Sequence, residues 1–136
     1  MIASIDVKTD SHTCLVDITR RVQEVVLKAG VGESLCTVFV PHTTAGVTIN
    51  ENADPDVQSD MIAALDKLVP WRDDYSHAEG NSAAHLKASM MGFSQQILVE
   101  GGDLLLGTWQ GIYLFEFDGP RTRRVLVQVL ADGDRQ

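Results

Sequence analysis

Three histidines stand beside polar, conformationally constrained stretches: His42 just after an apolar run, His77 in "YSHAEGN", and His85 in "SAAHLKASMM". Neutral imidazole is the commonest protein ligand for a catalytic divalent metal, and such a site takes three protein ligands and leaves a position open for water or substrate. The same three rings can instead hydrogen-bond backbone or one another. No HExxH-type spacing places two of them on one helix face, so both readings stay open on spacing. Asp56 and Glu79 carry a parallel ambiguity, as carboxylates at helix starts or as a base or histidine-orienting group.

A second set of residues suits a phosphorylated ligand. Asn81 and Ser82 begin a helical pattern whose first amides lack intrahelical partners, which makes an anion site. Gly107, Thr108 and Gln110 in "GTWQG" combine close backbone approach, a hydroxyl and an amide able to read a heterocycle edge. Arg121, Arg123 and Arg124 follow the turn Asp118-Gly119-Pro120, with Arg121 a better ligand candidate than Arg124. Thr43, Thr44 and Asn50 crowd into the polar stretch after His42, together with Glu51, Asn52, Asp54 and Asp56.

The elements that must position these groups follow from periodicity. Residues 2–8 alternate apolar and polar, and 13–17 do so less cleanly across a polar turn, which predicts an N-terminal hairpin. Val22, Val25, Val26 and Ala29 predict an amphipathic helix stopped by Gly30. The β-rich run at 35–40 predicts a strand that ends at Pro41 and presents His42. Asp54 as cap and Pro55 as first residue open a second helix, with Val57, Met61, Ala64, Leu65 and Leu68 as its buried stripe. Asn81 caps a third, stopped by Gly92, and the remainder reads as strands. Strands before and after a helical centre, without regular βα alternation, predict an α+β domain with a mostly antiparallel sheet and about three helices.

Composition narrows the function classes. With 136 residues, 44% of them hydrophobic, the chain suits a single domain spanning 1–136 with a real core. A formal charge of −8 opposes phosphate-backbone binding, so nucleic acid is not an expected partner. No apolar stretch approaches the length of a membrane span and no signal-like start is present, so a soluble, cytoplasmic protein without a membrane partner is expected. Cys14 and Cys36 lack CxxC spacing and read as small core residues. No organic cofactor is called for.

In order, "HTTAGVTINENADPDV", "YSHAEGNSAAH" and "GTWQGIYLFEFDGPRTRRV" resemble the YjbQ-like family, the secondary thiamine-phosphate synthase family. The likeness spans nearly the whole chain. His42, Asn50, Glu51, Asn52 and Asp56 match the first motif; Tyr75, His77, Glu79, Asn81 and His85 match the second. Gly107, Thr108, Gln110, Glu116, Asp118, Gly119, Arg121 and Arg123 match the third. Thr44 stands where members often carry Ser, and Leu98 where many carry Pro.

The resemblance implies an α+β fold assembled as a compact homotrimer, with a polar pocket near subunit contacts and a divalent metal, Zn or Mg, on His42, His77 and His85. It also implies a transferase activity that joins a pyrimidine methyl diphosphate to a thiazole phosphate and releases pyrophosphate. Under that reading Arg121, Arg123 and the Asn81-Ser82 helix start stabilise the leaving diphosphate, while Thr43, Thr44, Asn50 and Gln110 orient the heterocycles. Two alternatives come from other classes. One is a metal-dependent hydrolase of a small phosphorylated or amide substrate, with Glu79 or Asp56 as base. The other is a non-catalytic trimeric protein that binds a phosphorylated metabolite.

Overall fold

The computed structural model describes residues 1–132. Eleven elements follow in order: β1 (Ile2–Lys8), β2 (Cys14–Asp17), α1 (Thr19–Ala29), β3 (Ser34–Phe39), β4 (Ala45–Glu51), α2 (Pro55–Leu68), α3 (Ser82–Met91), β5 (Ser94–Glu100), β6 (Asp103–Leu104), β7 (Gln110–Glu116) and β8 (Thr122–Ala131). They form two sheets, ordered β1-β8-β3-β5-β6 and β2-β7-β4, and every strand pairing is antiparallel. The fold is thus the α+β, mostly antiparallel arrangement with three helices expected from the sequence. No helix among the described residues is long and apolar enough to cross a membrane.

The inner faces of the sheets meet in one apolar cluster. Val7, Cys36, Val38, Val125 and Val127 come from the larger sheet, Val47, Ile112 and Leu114 from the smaller, and Val22 and Val26 from α1. Burial pushes the Cys36 thiol pKa up to about 11, as expected of a small core side chain. Cys14 is only half-buried. Beyond the smaller sheet, Phe115 and Phe117 stack at a centroid distance of 4.4 Å and pack with Ala84 and Ala88 of α3, and with Met61, Ile62 and Leu65 of α2. Strand β7 is therefore covered on both faces, which explains why its residues 111–116 are all buried.

Local rules account for the helix ends. Gly30 closes α1 at φ 67°, a left-handed conformation that glycine adopts without Cβ strain. The Asp54 side chain accepts the Asp56 amide at 2.9 Å and caps α2, with Pro55 at its start. Helix α3 is fixed at its far end, where the Val47 amide donates to the Gly92 carbonyl at 3.1 Å. A Cβ on Gly46 would stand 2.7 Å from that same Gly92 oxygen, so the approach of β4 to α3 requires glycine.

Three expectations change. Residues 2–8 and 13–17 are not a hairpin: β1 pairs with β8 and β2 with β7, in different sheets. Alternation shows that each segment is a strand but carries no information about its partner. Part of the polar stretch after His42 is itself a strand, β4, paired along its length with β7. The stripe of α2 is shallower than its pattern suggests. Val57, Met61 and Leu65 are half-buried while Ala64 and Leu68 are exposed, because the helix covers the sheet from outside.

Candidate functional site

The site is built where β4 begins and β7 ends. Glu116, the last residue of β7, is completely buried and pairs across the two sheets with Arg123 of β8. Arg123 donates from Nε to Glu116 Oε1 at 2.8 Å and from Nη2 to Glu116 Oε2, and Nη2 also reaches Thr44 Oγ1 at 2.8 Å. The Asp118 amide also donates to Oε2 at 3.0 Å, and Thr9 Oγ1 lies 2.9 Å from Oε1. Burial by itself would raise the Glu116 pKa. The hydrogen bonds from Arg123, Asp118 and Thr9, with the Arg123 charge, outweigh it and hold the carboxyl below its ordinary value. The turn after β7 is pinned from outside: the Gly119 amide donates to the His12 carbonyl at 3.0 Å, and a Cβ there would collide with the Ser11 carbonyl.

Above this floor opens a polar pocket of about 280 Å3. Thr43 and Thr44 enter from the segment before β4, His77 and Glu79 from the α2–α3 connection, Asn81 and His85 from the start of α3, and Asp118 and Arg121 from the turn. Asp118 is the hub. Its Oδ2 accepts from Asn81 Nδ2 at 3.0 Å and from Arg121 Nη2 at 3.2 Å, while His12 Nε2 lies 3.8 Å from Oδ1. The rings of His77 and His85 meet edge-on at 5.4 Å and 87°. Asn81 is 8% exposed, and its Oδ1 is buried without a hydrogen-bond partner. It holds the cap position of α3 but makes no capping bond, because its amide is turned to Asp118.

The structure thus brings together Thr43, Thr44, His77, Glu79, Asn81, His85 and Arg121 and leaves the other predicted residues outside. The Arg124 amide donates to His42 Nε2 at 2.9 Å, which fixes the neutral tautomer with its hydrogen on Nδ1. Burial first, and then the Arg123 charge, lower the His42 pKa. His42, His77 and His85 are not a ligand set within one chain, and no group of three or more His, Cys, Asp or Glu among the described residues is arranged to hold a metal ion. The residues present do not fit the implied metal in a single chain.

Arg123 lies in the floor, its Nε and Nη2 engaged by Glu116 and Thr44, rather than facing a ligand. Ser82 begins α3 without lining the pocket, and Asp56 is exposed in the first turn of α2. Asn50, Gly107, Thr108 and Gln110 sit at the opposite end of the β4–β7 pair. Ala45 pairs with Glu116 but Asn50 pairs with Gly111, roughly 16 Å further along at strand rise. There Gln110 Oε1 accepts the Gly107 amide at 2.8 Å, and Asn50 Oδ1 accepts the Glu51 amide at 2.7 Å, so both side chains tie down their own turns. Asp118, matched to the third motif but read only as part of a turn, is the pocket member that was not among the candidate site residues, and that motif match was the available signal.

The family model described as UPF0047 protein YjbQ-like matches residues 3–132. The chain belongs to the YjbQ-like family. It is 47% identical over 131 residues to the UPF0047 protein YugU of Bacillus subtilis (strain 168), covering 96% of this chain and 99% of that protein. It is 46% identical over 132 residues to the UPF0047 protein MJ1081 of Methanocaldococcus jannaschii, covering 97% and 96% of the two chains. Among solved structures, a YjbQ/UPF0047 family protein from Clostridium acetobutylicum superposes with a TM-score of 0.93 at 55% identity, over 94% of this chain and 99% of that one. A YbjQ-like protein of unknown function from Sulfolobus solfataricus P2 gives a TM-score of 0.93 at 33% identity, over 97% of each chain. The YjbQ-like fold thus persists while about two-thirds of the residues differ.

Proposed function

We propose that this YjbQ-like chain is a transferase of the thiamine-phosphate synthase type, joining a pyrimidine methyl diphosphate to a thiazole phosphate. The observation that carries the reading is the pocket itself. It gathers an arginine, two imidazoles and two carboxylates, with two threonines and an asparagine, in one concave polar surface. In the reaction the bond from the pyrimidine methylene to the diphosphate oxygen breaks, and its electron pair leaves with pyrophosphate. The thiazole nitrogen lone pair then forms the new C–N bond, so no strong base is needed. Stabilising the departing charge is the main task. In this reading Arg121, half-exposed at the rim, meets a diphosphate that projects outward.

A volume of about 280 Å3 suits one heterocycle and not two complete substrates. The rest of the binding surface comes, in this reading, from a neighbouring copy in a homotrimer. Leu35, Leu98 and Leu130 are cross-strand neighbours on the outer face of the larger sheet, with Leu98 and Leu130 strongly exposed, an apolar surface that association would cover. A divalent metal, Zn or Mg, belongs to the proposal only with a ligand supplied across such a contact.

The test is pyrophosphate release by the purified protein supplied with both substrates. Turnover that falls at least tenfold in His77→Ala and in His85→Ala supports the assignment. Turnover unchanged in the double variant removes the pocket from the chemistry, and absence of turnover in the unaltered protein ends the transferase reading.

A further inference from the structure

A second cleft, of about 490 Å3, opens between α1 and the β1 edge of the larger sheet, and it shares no lining residue with the pocket beside Asp118. Ala3 and Val127, paired across β1 and β8, line its sheet side with Ile5 and Val129, and α1 contributes Val25 and Ala29. Val22 and Val26 anchor the helix in the core, whereas Val25 is half-buried and Ala29 exposed, so this side of α1 is left incompletely covered. No aromatic ring lines the cleft, so it suits an alkyl chain better than a planar ring that needs stacking.

Three charged side chains of α1 also line it: Arg21, Glu24 and Lys28. Glu24 stands three residues after Arg21 and four before Lys28, spacings at which helical ion pairs form. Among the described residues, however, no ion pair or side-chain hydrogen bond involves any of the three. The cleft thus has two cations against one carboxylate, on a chain whose formal charge is −8. The two cations differ in their reason for being there. Lys28 lies in the last turn of α1, where the helix dipole favours a positive charge. Arg21 lies in the first turn, which holds no acidic residue and where the dipole disfavours a cation. Its guanidinium can meet a carboxylate through two parallel hydrogen bonds.

We propose that this cleft binds a free medium-chain aliphatic carboxylate, with the headgroup on Arg21 and the chain running along α1 toward Ala29. At helical rise Ala29 lies about 12 Å beyond Arg21, which gives an extended alkyl chain room to lie against Ile5 and Val127. The charge excess selects the anionic headgroup, and the aliphatic lining selects the tail.

Calorimetry on the full chain in its native assembly tests this with butanoate, hexanoate, octanoate and octylammonium, each below its micelle concentration. Each added methylene should tighten binding by roughly threefold, the scale of burying one CH2 group. Octanoate should bind about tenfold more tightly than octylammonium, although the net negative charge of the chain favours the cation. Arg21→Gln should erase that preference and Lys28→Gln should leave it; both side chains are exposed, so neither change disturbs the core. Ala29→Leu should weaken octanoate and spare butanoate. In the unaltered protein, the methyl resonances of Val25 and Ala29 should shift with octanoate while the ring resonances of His77 and His85 stay fixed, a readout independent of any variant. Affinity that does not grow with chain length, octylammonium bound as tightly as octanoate, or no binding of octanoate each overturns the proposal. So does a headgroup preference that Arg21→Gln keeps or Lys28→Gln loses. Protein that adsorbs to phosphatidylglycerol vesicles and ignores monomeric octanoate overturns it in favour of a membrane surface.

Discussion

Replacing Arg123 with methionine isolates what holds the floor of the pocket together. The side chains of Arg123 and Glu116 are 2% and 0% exposed, so the substitution leaves a carboxylate between two sheets with no cation and no water. Thr44 loses its donor as well. Removing one partner of a buried ion pair costs about 3–5 kcal/mol, a large part of the roughly 5–15 kcal/mol that stabilises a domain. Adding Glu116→Leu removes the stranded charge, and the double variant should recover at least about 1 kcal/mol, even though the Asp118 amide and Thr9 then lack their acceptor.

The pH dependence supplies an independent sign. In the unaltered protein the Glu116 pKa lies below its ordinary 4.5, so its contribution is present above 4.5 and lost as pH falls through the folded value. In Arg123→Met burial acts with less opposition and the folded pKa rises above the unfolded one. The penalty of the substitution should therefore shrink as pH is lowered and protonation becomes available. Urea unfolding followed by tryptophan fluorescence, at several protein concentrations and with the slope checked for constancy, measures both effects. A cost under about 1 kcal/mol, or strictly additive single and double variants, would refute the account of a buried charge held by its partner.

Two further outcomes follow from the same geometry. Gly46→Ala drives a methyl group to 2.7 Å from the Gly92 oxygen and should lower stability by about 1–3 kcal/mol in thermal unfolding; an unchanged midpoint would mean that β4 and α3 are not locked together. The His42 pKa is lowered from its ordinary 6.5, so its stabilising contribution is present above 6.5 and lost as pH falls from there through the folded value. His42→Gln keeps an acceptor for the Arg124 amide without titrating in this range. It should flatten stability between neutral pH and about 5, and a slope as steep as the original's would show that His42 is not a titrating contributor.

Local chemistry made much of the architecture legible. Gly30 and the Asp54-Pro55 pair mark helix ends through backbone geometry and capping, which depend on a few neighbouring residues. Alternation marked 2–8 as a strand, and the order of strands and helices gave the fold class. Motif order carried the family, and with it His77, Glu79, Asn81, His85 and Arg121 as candidates. Partnership was out of reach, because a strand's alternation is the same whichever strand lies beside it, so the pairing of β1 with β8 across more than a hundred residues left no local trace.

The same limit divided the site. Tertiary structure alone put Asn50 and Gln110 at the far end of a strand pair from the histidines, and turned the nitrogen of His42 to the Arg124 amide. It buried Arg123 against Glu116 while leaving Arg121, two residues away, half-exposed at the rim. Residue type determines what a side chain can do. Burial and the partner already occupying it decide what it remains free to do, and both arise only when distant segments pack together.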